Sequence, residues 1–512
     1  MPADYDLVII GGGINGAAVA ELSAAAGLRV ALLERTDFGA GVTSRSTRLI
    51  HGGLRYLEHG QLGLVRESLR EREALLEDFP QQVQPLPFLI PMYRQDSRAA
   101  WWVRLGLEAY DWMARSRSLA RYRRLSVAEL LRLEPGLNSV GLLSGFLYYD
   151  CQACYPERLA LDMALEAEAG GADIRNHTAV TALLGRAGQV RGVRVASGEE
   201  FPARLVINAA GPWVDQVRRL PLQGTAPGNS RPPLLTLVSG VHLVTGPFPG
   251  APRHAVYHEA SRDRRPFFII PWRGLWLIGT TETPHQGDPG DPAPTPGEID
   301  YLLGETNLLL PGASLSRESI LYCYAGARPL LHSGGRRAQS MSRDHDIYDH
   351  QKREGLAGMI TLAGGKLTTA RAFAAEALET VAARLGRACP RAPRRPAWNT
   401  GAVPPRLAQI YGRRSEQIVE LSRRQPELDR PVCPGRETTA AEVIHAVHRE
   451  KAKTLGDILL RRTGLAFGPC RALDCAPEIA RLAAPYLGWD QAGIEKAIAE
   501  YRREVEQTLR RP

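Results

Sequence analysis

The sequence predicts an α/β protein, and three observations lead to this prediction. Residues 6–34 follow the order strand, glycine cluster, helix, strand and acid, which is typical of a βαβ unit in a parallel sheet. Residues 234–277 alternate β-rich runs with turns, which indicates an antiparallel sheet in a second domain. Beyond residues 390–405, which are rich in Pro and Arg, the chain is polar and helical in pattern. We therefore expect a parallel α/β domain, an α+β domain and a helical C-terminal domain.

The first βαβ unit contains the glycine spacing that binds the phosphates of a dinucleotide. Gly11 allows a tight turn after the strand, Gly13 leaves room for a pyrophosphate, and Gly16 lets the helix pack closely on the strand. The helix N-terminus presents free N–H groups and the positive end of its dipole to the phosphates. Glu34 ends the second strand, where a carboxylate accepts hydrogen bonds from a ribose. The motif therefore predicts a dinucleotide cofactor, and the acid disfavours the 2′-phosphate of NADP.

Composition and charge exclude several classes of protein. The 512 residues carry a net charge of +9, which suits anionic substrates or an anionic membrane surface. No basic tail or basic patch with interleaved aromatic residues predicts nucleic-acid binding. No apolar stretch is long enough to span a membrane, and we expect no signal peptide, since no basic segment followed by an apolar core precedes the first strand. The seven cysteines lack the spacing of a zinc site or a disulfide framework, so we expect no metal and a reducing cytoplasm.

Later stretches place glycines or hydroxyl groups where a backbone can approach a bound cofactor. Residues 38–47 form a small, hydroxyl-rich loop, and residues 49–57 carry a glycine pair between histidine and arginine. The strand predicted at 205–210 runs into Gly211. The strand predicted at 359–363 runs into a glycine pair and Lys366 before an alanine-rich helix, whose N-terminus favours negative charge.

Periodicity and capping signals predict the elements between these stretches. Ser126 and Glu129 form a capping box before an apolar run, and Pro156 suits the first turn of a helix. Helices are expected at 61–79, 99–114, 126–133, 156–170, 299–309, 439–449, 455–462 and 476–511. Strands are expected at 86–93, 145–150, 172–180, 190–195 and 319–329.

Taken together, these stretches resemble the FAD-dependent glycerol-3-phosphate dehydrogenases of the aerobic, quinone-linked type. The matching blocks are DLVIIGGGINGAAVA, RLIHGGLRYLE, VINAAGPWV, FFIIPWRGLWLIGTTE, YAGARPL, SRDH, LAGGKLTTAR and TLGDILLRRTGLAF. The resemblance implies an α/β fold with a Rossmann-like FAD-binding domain, an α+β cap domain with an antiparallel sheet, and a helical C-terminal domain. The implied FAD-binding segments are 1–85, 150–230 and 325–390, the cap segments are 86–149 and 231–324, and the C-terminal domain is 391–512.

The resemblance also implies a reaction and its partners. The implied reaction oxidises sn-glycerol 3-phosphate to dihydroxyacetone phosphate, with hydride transfer from C2 to flavin N5 and reoxidation by a quinone or another electron acceptor. A cytoplasmic location with peripheral contact to the inner face of the membrane is implied, and a homodimer is left open. The sequence has no long insertion of the kind expected in the oxidase relatives, so dehydrogenase is preferred to oxidase.

The resemblance assigns roles to specific residues. The catalytic candidates are His242 as the first choice of base, with Arg55 and Lys366 as rivals. The implied substrate-binding residues are Arg55, Tyr56, His242, Arg328, Arg343 and Lys366, since a phosphate needs several cations. The implied cofactor-binding residues are Gly11, Gly13, Gly16, Glu34, Thr43, Ser44, Thr47, His51, Gly52, Gly53, Leu54, Val180, Ala210, Gly211, Gly365, Lys366, Leu367 and Thr368.

Two alternatives remain open at this point. A related flavoenzyme acting on an amine or a 2-hydroxy acid would need one arginine for a carboxylate rather than a cluster of cations. A non-catalytic flavin-binding protein would lack polar groups around the flavin, whereas Arg55, His242, Arg328 and Lys366 are all present here.

Overall fold

The computed structural model describes residues 4–58, 60–114, 118–186, 188–222, 231–332, 345–388, 401 and 403–512. The strands are β1 (Tyr5–Ile10), β2 (Val30–Leu33), β3 (Leu49–Ile50), β4 (Val83–Tyr93), β5 (Arg123–Leu125), β6 (Leu142–Ala153), β7 (Asp173–Arg175), β8 (Val180–Arg186), β9 (Gln189–Val195), β10 (Glu200–Asn208), β11 (Leu235–Thr245), β12 (Ala255–Glu259), β13 (Pro266–Trp272), β14 (Leu275–Gly279), β15 (Thr283–Pro284), β16 (Ile320–Leu331), β17 (His345–Asp349) and β18 (Met359–Gly364). The helices are α1 (Ile14–Ala25), α2 (Arg55–Glu58), α3 (Leu62–Asp78), α4 (Ala100–Ala114), α5 (Val127–Leu133), α6 (Pro156–Ala169), α7 (Val214–Arg218), α8 (Pro296–Leu309), α9 (His350–Glu354), α10 (Ala370–Leu385), α11 (Pro405–Tyr411), α12 (Ser415–Arg424), α13 (Ala440–Arg449), α14 (Ala476–Leu487) and α15 (Gln491–Thr508).

The first sheet places the glycine-rich turns at one edge. Along the order β17-β18-β10-β1-β2-β7, all neighbours except β17 and β18 are parallel, and two further strands, β8 and β9, join antiparallel through the pairing of β9 with β10. The apolar strands bury one face against α1, α6 and α10 in a single cluster. Because Ile10 pairs with Asn208 and Asn208 pairs with Thr361, the carboxyl ends of β1, β10 and β18 lie side by side. Ligands of open parallel sheets bind at this edge.

The second sheet contains β11 to β16 together with β3 to β6. Its order is β15-β11-β14-β13-β12-β4-β6-β3, with β16 paired to β11 and β5 paired to β6. The pairing is antiparallel except between β12 and β4. The predicted antiparallel sheet is thus confirmed, with one parallel pair that sequence periodicity does not reveal.

The C-terminal helices dock on both sheets through buried polar contacts. Arg158 of α6 donates two 2.6 Å hydrogen bonds to the carboxylate of Glu450, and both side chains are buried. The hydroxyl of Tyr322 on β16 donates to the carbonyl of Phe467 at 2.9 Å. Cys323 of β16 and Arg510 exchange two backbone hydrogen bonds. No helix among the described residues combines the length and apolar character needed to cross a bilayer.

Three predicted elements differ from the structure. The strand predicted at 172–180 is two strands, β7 and β8, because His177 between them adopts a left-handed backbone with φ 51°. The helix predicted at 476–511 is broken into α14 and α15 by Gly488, whose φ is 68°, and by Asp490, which caps the next helix. The helix predicted at 455–462 is a π-helix at Asp457–Arg462.

Candidate active site

A cavity of about 1040 Å³ lies between the two sheets and the C-terminal helices. Its walls include the glycine-rich ends of β1, β10 and β18, the loop at 40–49, and residues of β16. The cavity therefore occupies the position at which a parallel sheet binds a dinucleotide.

The glycines after β1 are required by close backbone packing. Gly11 has φ 106°, and a Cβ on Gly16 would lie 1.9 Å from the carbonyl oxygen of Gly11. A Cβ on Gly13 would meet only the Thr43 hydroxyl, at 3.5 Å, so the space at Gly13 is left for a ligand. Glu34 accepts hydrogen bonds from the backbone N–H of Gly12 at 2.7 Å and of Thr36 at 2.8 Å, which orients its carboxylate beside the cavity.

The loop after β2 adds donors along the cavity. The Thr43 hydroxyl accepts from the Ile14 N–H at 3.1 Å, next to the start of α1. The Arg45 Nη1 donates to the carbonyl of Gly290 at 2.7 Å, but its buried Nε has no hydrogen-bond partner among the described residues. The buried indole N–H of Trp213 likewise lacks a partner in the described chain. Both side chains line the cavity, and orphaned donors of this kind fit a cofactor rich in phosphate and carbonyl acceptors.

Cationic and aromatic side chains line another part of the cavity. The ammonium of Lys366, which follows β18, lies 4.1 Å from the ring centroid of Tyr56. Arg328 of β16 donates to the Thr280 hydroxyl at 2.7 Å and lies 3.5 Å from the carboxylate of Glu282. A Cβ at Gly240 would lie 2.3 Å from the guanidinium of Arg328, so a glycine is needed to admit this arginine.

His242 on β11 lies behind the cavity wall. It is buried, its Nε2 lies 2.9 Å from the Thr47 hydroxyl, and its ring stacks on Tyr324 with centroids 5.0 Å apart. Burial, followed by the charges of Arg328 and Arg48, holds the pKa of His242 well below its usual range. The imidazole is therefore neutral near pH 7, and Thr47 stands between it and the cavity.

The structure brings most of the predicted site residues to this cavity. Those that line it are Gly11, Gly13, Glu34, Thr43, Ser44, Thr47, His51, Gly53, Leu54, Tyr56, Val180, Ala210, Gly211, Arg328, Gly365, Lys366, Leu367 and Thr368. The lining among the described residues does not include Gly16, Gly52 or His242. Close packing requires glycine at both Gly16 and Gly52, since a Cβ on Gly52 would lie 2.5 Å from both Leu69 and Tyr110, and their role in cofactor binding stays a prediction. Arg343 and the side chain of Arg55 lie outside the described part of the chain.

The sequence prediction missed part of the lining. Arg45 lies within the hydroxyl-rich loop that the sequence marks, but the direction of its side chain is set by Gly290 on the opposite domain. Lys453, Trp489 and neighbouring C-terminal residues also line the cavity. No motif identifies these residues, because only the docking of the helices brings them there.

Comparison with known proteins agrees with this geometry. The sequence profile of the FAD dependent oxidoreductase family matches residues 6–379, and that of the C-terminal domain of alpha-glycerophosphate oxidase matches residues 360–494. The chain is 39% identical to the glycerol-3-phosphate dehydrogenase of Synechocystis sp., covering 98% of this chain and 96% of that protein. It is 32% identical to the aerobic glycerol-3-phosphate dehydrogenase of Staphylococcus aureus, covering 99% of this chain and 94% of that protein.

The chain belongs to the FAD-dependent glycerol-3-phosphate dehydrogenase family.

Solved structures support the same assignment for the fold. The glycerol-3-phosphate dehydrogenase of Bacillus halodurans, solved with FAD, matches with a TM-score of 0.77 and 26% identity over 99% of this chain and 95% of that chain. The L-alpha-glycerophosphate oxidase of Mycoplasma pneumoniae shares the fold, with a TM-score of 0.58 and 19% identity over 77% of this chain and 97% of that chain. For this member of the dehydrogenase family, the cofactor is FAD, and the glycine-rich edge, Glu34 and the orphaned donors of Arg45 and Trp213 fit it.

Proposed function

We propose that this enzyme oxidises sn-glycerol 3-phosphate to dihydroxyacetone phosphate and passes the electrons to a quinone. FAD supplies the hydride acceptor for C2 of the substrate. The observation that carries the proposal is that Arg328, on β16, and Lys366, in the turn after β18, line the same cavity as the FAD-binding glycines.

Charge favours a phosphorylated substrate at this position. Arg328 can bind phosphate oxygens with two N–H groups, and Lys366 adds a second positive charge beside Tyr56. Glu282 and Thr280 hold the Arg328 guanidinium in place, so its direction does not depend on the substrate. Arg343 and Arg55 remain predicted members of the site.

The proton of the C2 hydroxyl needs an acceptor. We assign this role to a relay in which Thr47 lines the cavity and hydrogen-bonds His242 behind it. The low pKa keeps His242 neutral and able to accept a proton, but it also makes the imidazole a weak base. Lys366 and Arg55 therefore remain rivals as electrostatic stabilisers of the developing negative charge.

An apolar groove of about 200 Å³ beside α4 supports a quinone as acceptor and a membrane surface as its source. The groove includes Leu54 and Tyr257, which also line the main cavity. The outer face of α4 exposes Trp101, Trp102 and Trp112, and exposed arginines lie at position 104 in this helix and at position 121 after it. Tryptophan beside arginine is typical of contact with an anionic lipid surface.

The spectrum of the purified holoenzyme tests the proposal. Under anaerobic conditions, sn-glycerol 3-phosphate should bleach the flavin absorbance band, and a soluble quinone analogue should restore it faster than air does. Failure of the substrate to bleach the band would refute the proposed reaction. Faster recovery in air than with the quinone would indicate an oxidase.

Controls separate the rival substrates. Glycerol lacks the phosphate, so it should bleach the flavin far more slowly if Arg328 and Lys366 bind that group. Glycine and lactate represent the amine and 2-hydroxy-acid alternatives, and bleaching by either in preference to glycerol 3-phosphate would favour them. A flavin that none of these compounds reduces would favour a non-catalytic flavin-binding protein.

A further inference from the structure

The C-terminal domain forms one wall of the FAD cavity. Residues 453–456 and Arg461 line it from one side, and Trp489, Gly493 and Lys496 line it from α15 and the turn before it. Other lining residues of this domain are Phe467, Ala497, Tyr501 and Glu504. The cavity is thus closed by three parts of the chain rather than by two.

A buried ion pair fixes this wall to the loop that follows Glu34. Asp37 accepts hydrogen bonds from the Arg461 Nε at 2.7 Å and from the two terminal nitrogens of Arg462 at 2.6 and 2.8 Å. The side chains of Asp37 and Arg462 are fully buried. Buried charges of this kind require partners of good geometry, so the loop and the C-terminal domain have one relative position.

A second pair, His177 and Asp457, ties the loop after β7 to the C-terminal domain and to the residues around Glu34. The Nε2 of His177 lies 2.9 Å from the buried carboxylate of Asp457, and the His177 N–H donates to the carbonyl of Thr36 at 2.6 Å. The next residue, Thr178, donates its N–H to the carbonyl of Glu34 at 2.7 Å. The two loops beside the ribose-binding acid are therefore tied to each other and to the C-terminal domain.

The remaining contacts join the two pairs into one network. Arg461 donates to Asp457 at 2.9 Å, and the Lys453 ammonium donates to the carbonyl of Asn176 at 3.0 Å. The ligand atoms of Asp37, His177 and Asp457 lie within 4.8 Å of one another, as in a cation site. Because Arg461 and Arg462 already bind these carboxylates, the network is an interdomain lock rather than a metal centre.

We propose that the C-terminal domain is part of the FAD-binding site, and that the Asp37–Arg461–Asp457–His177 network positions the Glu34 loop at the adenosine end of the cofactor. Asp37 and Asp457 are positioning residues, because they act through the loop that holds Glu34, whereas His177 and Arg461 also line the cavity themselves. The C-terminal domain then controls how long the enzyme retains FAD.

The holoenzyme tests this through the rate of FAD release, followed by the rise in flavin fluorescence after dilution into FAD-free buffer. His177→Asn removes the contact with Asp457, and asparagine tolerates the left-handed backbone at this position. Lys453→Met removes the contact with Asn176 from an exposed residue, so it leaves the core intact. We expect His177→Asn to speed FAD release about tenfold, as expected for the loss of one charge-assisted hydrogen bond, and Lys453→Met to speed it less.

A matched control separates cofactor positioning from general docking. Arg414 also joins the C-terminal domain to the α/β domain, with the carboxylate of Glu166 at 3.0 Å, but it is not among the described residues that line the cavity. Arg414→Ala should release FAD at the wild-type rate, and the rise in Tm on adding FAD to its apoenzyme should be that of the wild type. Wild-type release in both His177→Asn and Lys453→Met would overturn the proposal. Equal acceleration by Arg414→Ala would also overturn it, because domain docking alone would then explain the effect.

The pH dependence of release gives a second readout. Burial alone would lower the pKa of His177. The hydrogen bond to Asp457 and the charges of Asp457 and Asp37 outweigh burial and the opposing charge of Arg461, so the pKa is raised. The pair between the imidazolium and Asp457 is therefore present at low pH and weakens as pH rises through this raised pKa. FAD release should accelerate with pH in the wild type and lose this dependence in His177→Asn. A pH dependence that the variant retains would contradict the assigned role.

Discussion

The hydroxyl of Thr47 and the Nε2 of His242 lie 2.9 Å apart, across the boundary between the loop after β2 and the cap strand β11. This contact gives the buried imidazole its connection to the cavity, because Thr47 lines the cavity and His242 does not appear among its described lining residues. If a proton passes along this contact, replacing either residue breaks the same path. We expect Thr47→Val and His242→Gln to lower kcat by about 100-fold or more, with the double variant no worse than either single one.

Thr47→Ser is the matched control because it keeps the hydroxyl. Additive losses in the double variant would show that the two residues act separately. Burial holds the pKa of His242 well below its usual range, so His242 does not change its protonation state between pH 8 and pH 6. We therefore expect it to cause no change in kcat over this range. A break near pH 6.5 that disappears in His242→Gln would refute this.

Arg328 should determine the affinity for the phosphate. Arg328→Ala removes a cation held by Thr280 and Glu282, and we expect KM for glycerol 3-phosphate to rise about 10- to 100-fold while kcat changes less. Arg328→Lys keeps the charge but loses the bidentate geometry, so its KM should fall between those of the wild type and the alanine variant. Steady-state kinetics with an artificial acceptor measure this, and an unchanged KM in Arg328→Ala would remove Arg328 from the phosphate site.

Substitution of the two glycines at the start of α1, Gly13 and Gly16, should have different effects. A Cβ on Gly13 meets only Thr43 at 3.5 Å, so Gly13→Ala should fold and lose affinity for FAD because the methyl occupies space left for the pyrophosphate. A Cβ on Gly16 would lie 1.9 Å from the Gly11 oxygen, so Gly16→Ala should reduce the yield of folded protein itself. The flavin-to-protein absorbance ratio and the apoprotein Tm distinguish these outcomes. A Gly13→Ala protein with a full complement of FAD would contradict the assignment.

The buried Arg158–Glu450 pair should make stability fall in acid. Burial alone would raise the pKa of Glu450, but Arg158 and then His445 hold this pKa well below its usual value. A carboxylate with a lowered pKa stabilises the fold above its unfolded pKa, near 4.5, and loses that contribution as pH falls toward the folded value. We therefore expect Tm to drop below about pH 4.5 in the wild type, and Glu450→Gln to cost about 3–5 kcal/mol at pH 7, since it leaves the buried Arg158 with only the more distant carboxylate of Asp162, at 3.6 Å.

The control for this pair is an exposed one. Arg424 and Glu420 on α12 form a solvent-exposed i,i+4 pair, so Glu420→Gln should lower the free energy of unfolding far less than Glu450→Gln does. Denaturant unfolding of both variants tests the difference. A similar decrease in the free energy of unfolding in the two variants would mean that the buried Arg158–Glu450 pair stabilises the fold no more than an exposed pair does.

The tryptophans of α4 should bind lipid. Trp101 and Trp112 are each 67% exposed, and we expect Trp101→Ser with Trp112→Ser to reduce binding to vesicles containing phosphatidylglycerol. Leu308 on α8 is 57% exposed on another element, so Leu308→Ser should leave vesicle binding unchanged. Sedimentation with vesicles measures this, and equal losses in all variants would exclude α4 as the specific contact.

The parts of the site built by local backbone chemistry could be predicted from the sequence. The turns at Gly11, Gly211 and Gly365 each follow an apolar strand, and the parallel pairing brings these strand ends together. The signal is local because positive φ values and close approach require glycine there.

The parts that depend on domain docking could not be predicted. Asp37 and Arg462 are 425 residues apart, and no periodicity or spacing indicates that they pair. His242 could be placed on a cap strand, but its burial behind Thr47 follows from how the two sheets face each other. The break at Gly488, by contrast, could have been predicted, because glycine at a helix end and Asp490 at the next N-cap are both local signals.

The order of strands in the first sheet also bears on how the protein is made. β1 ends at residue 10, but its parallel neighbour β10 begins at residue 200, and β18 beyond it ends at residue 364. At a synthesis rate of about 5–20 residues per second, the ribosome needs about 20–70 s to add the segment between β1 and β18. β2 can pair with one edge of β1 early, but the other edge has no partner strand until β10 has emerged, and the sheet edge that binds FAD is complete only after β18 has emerged.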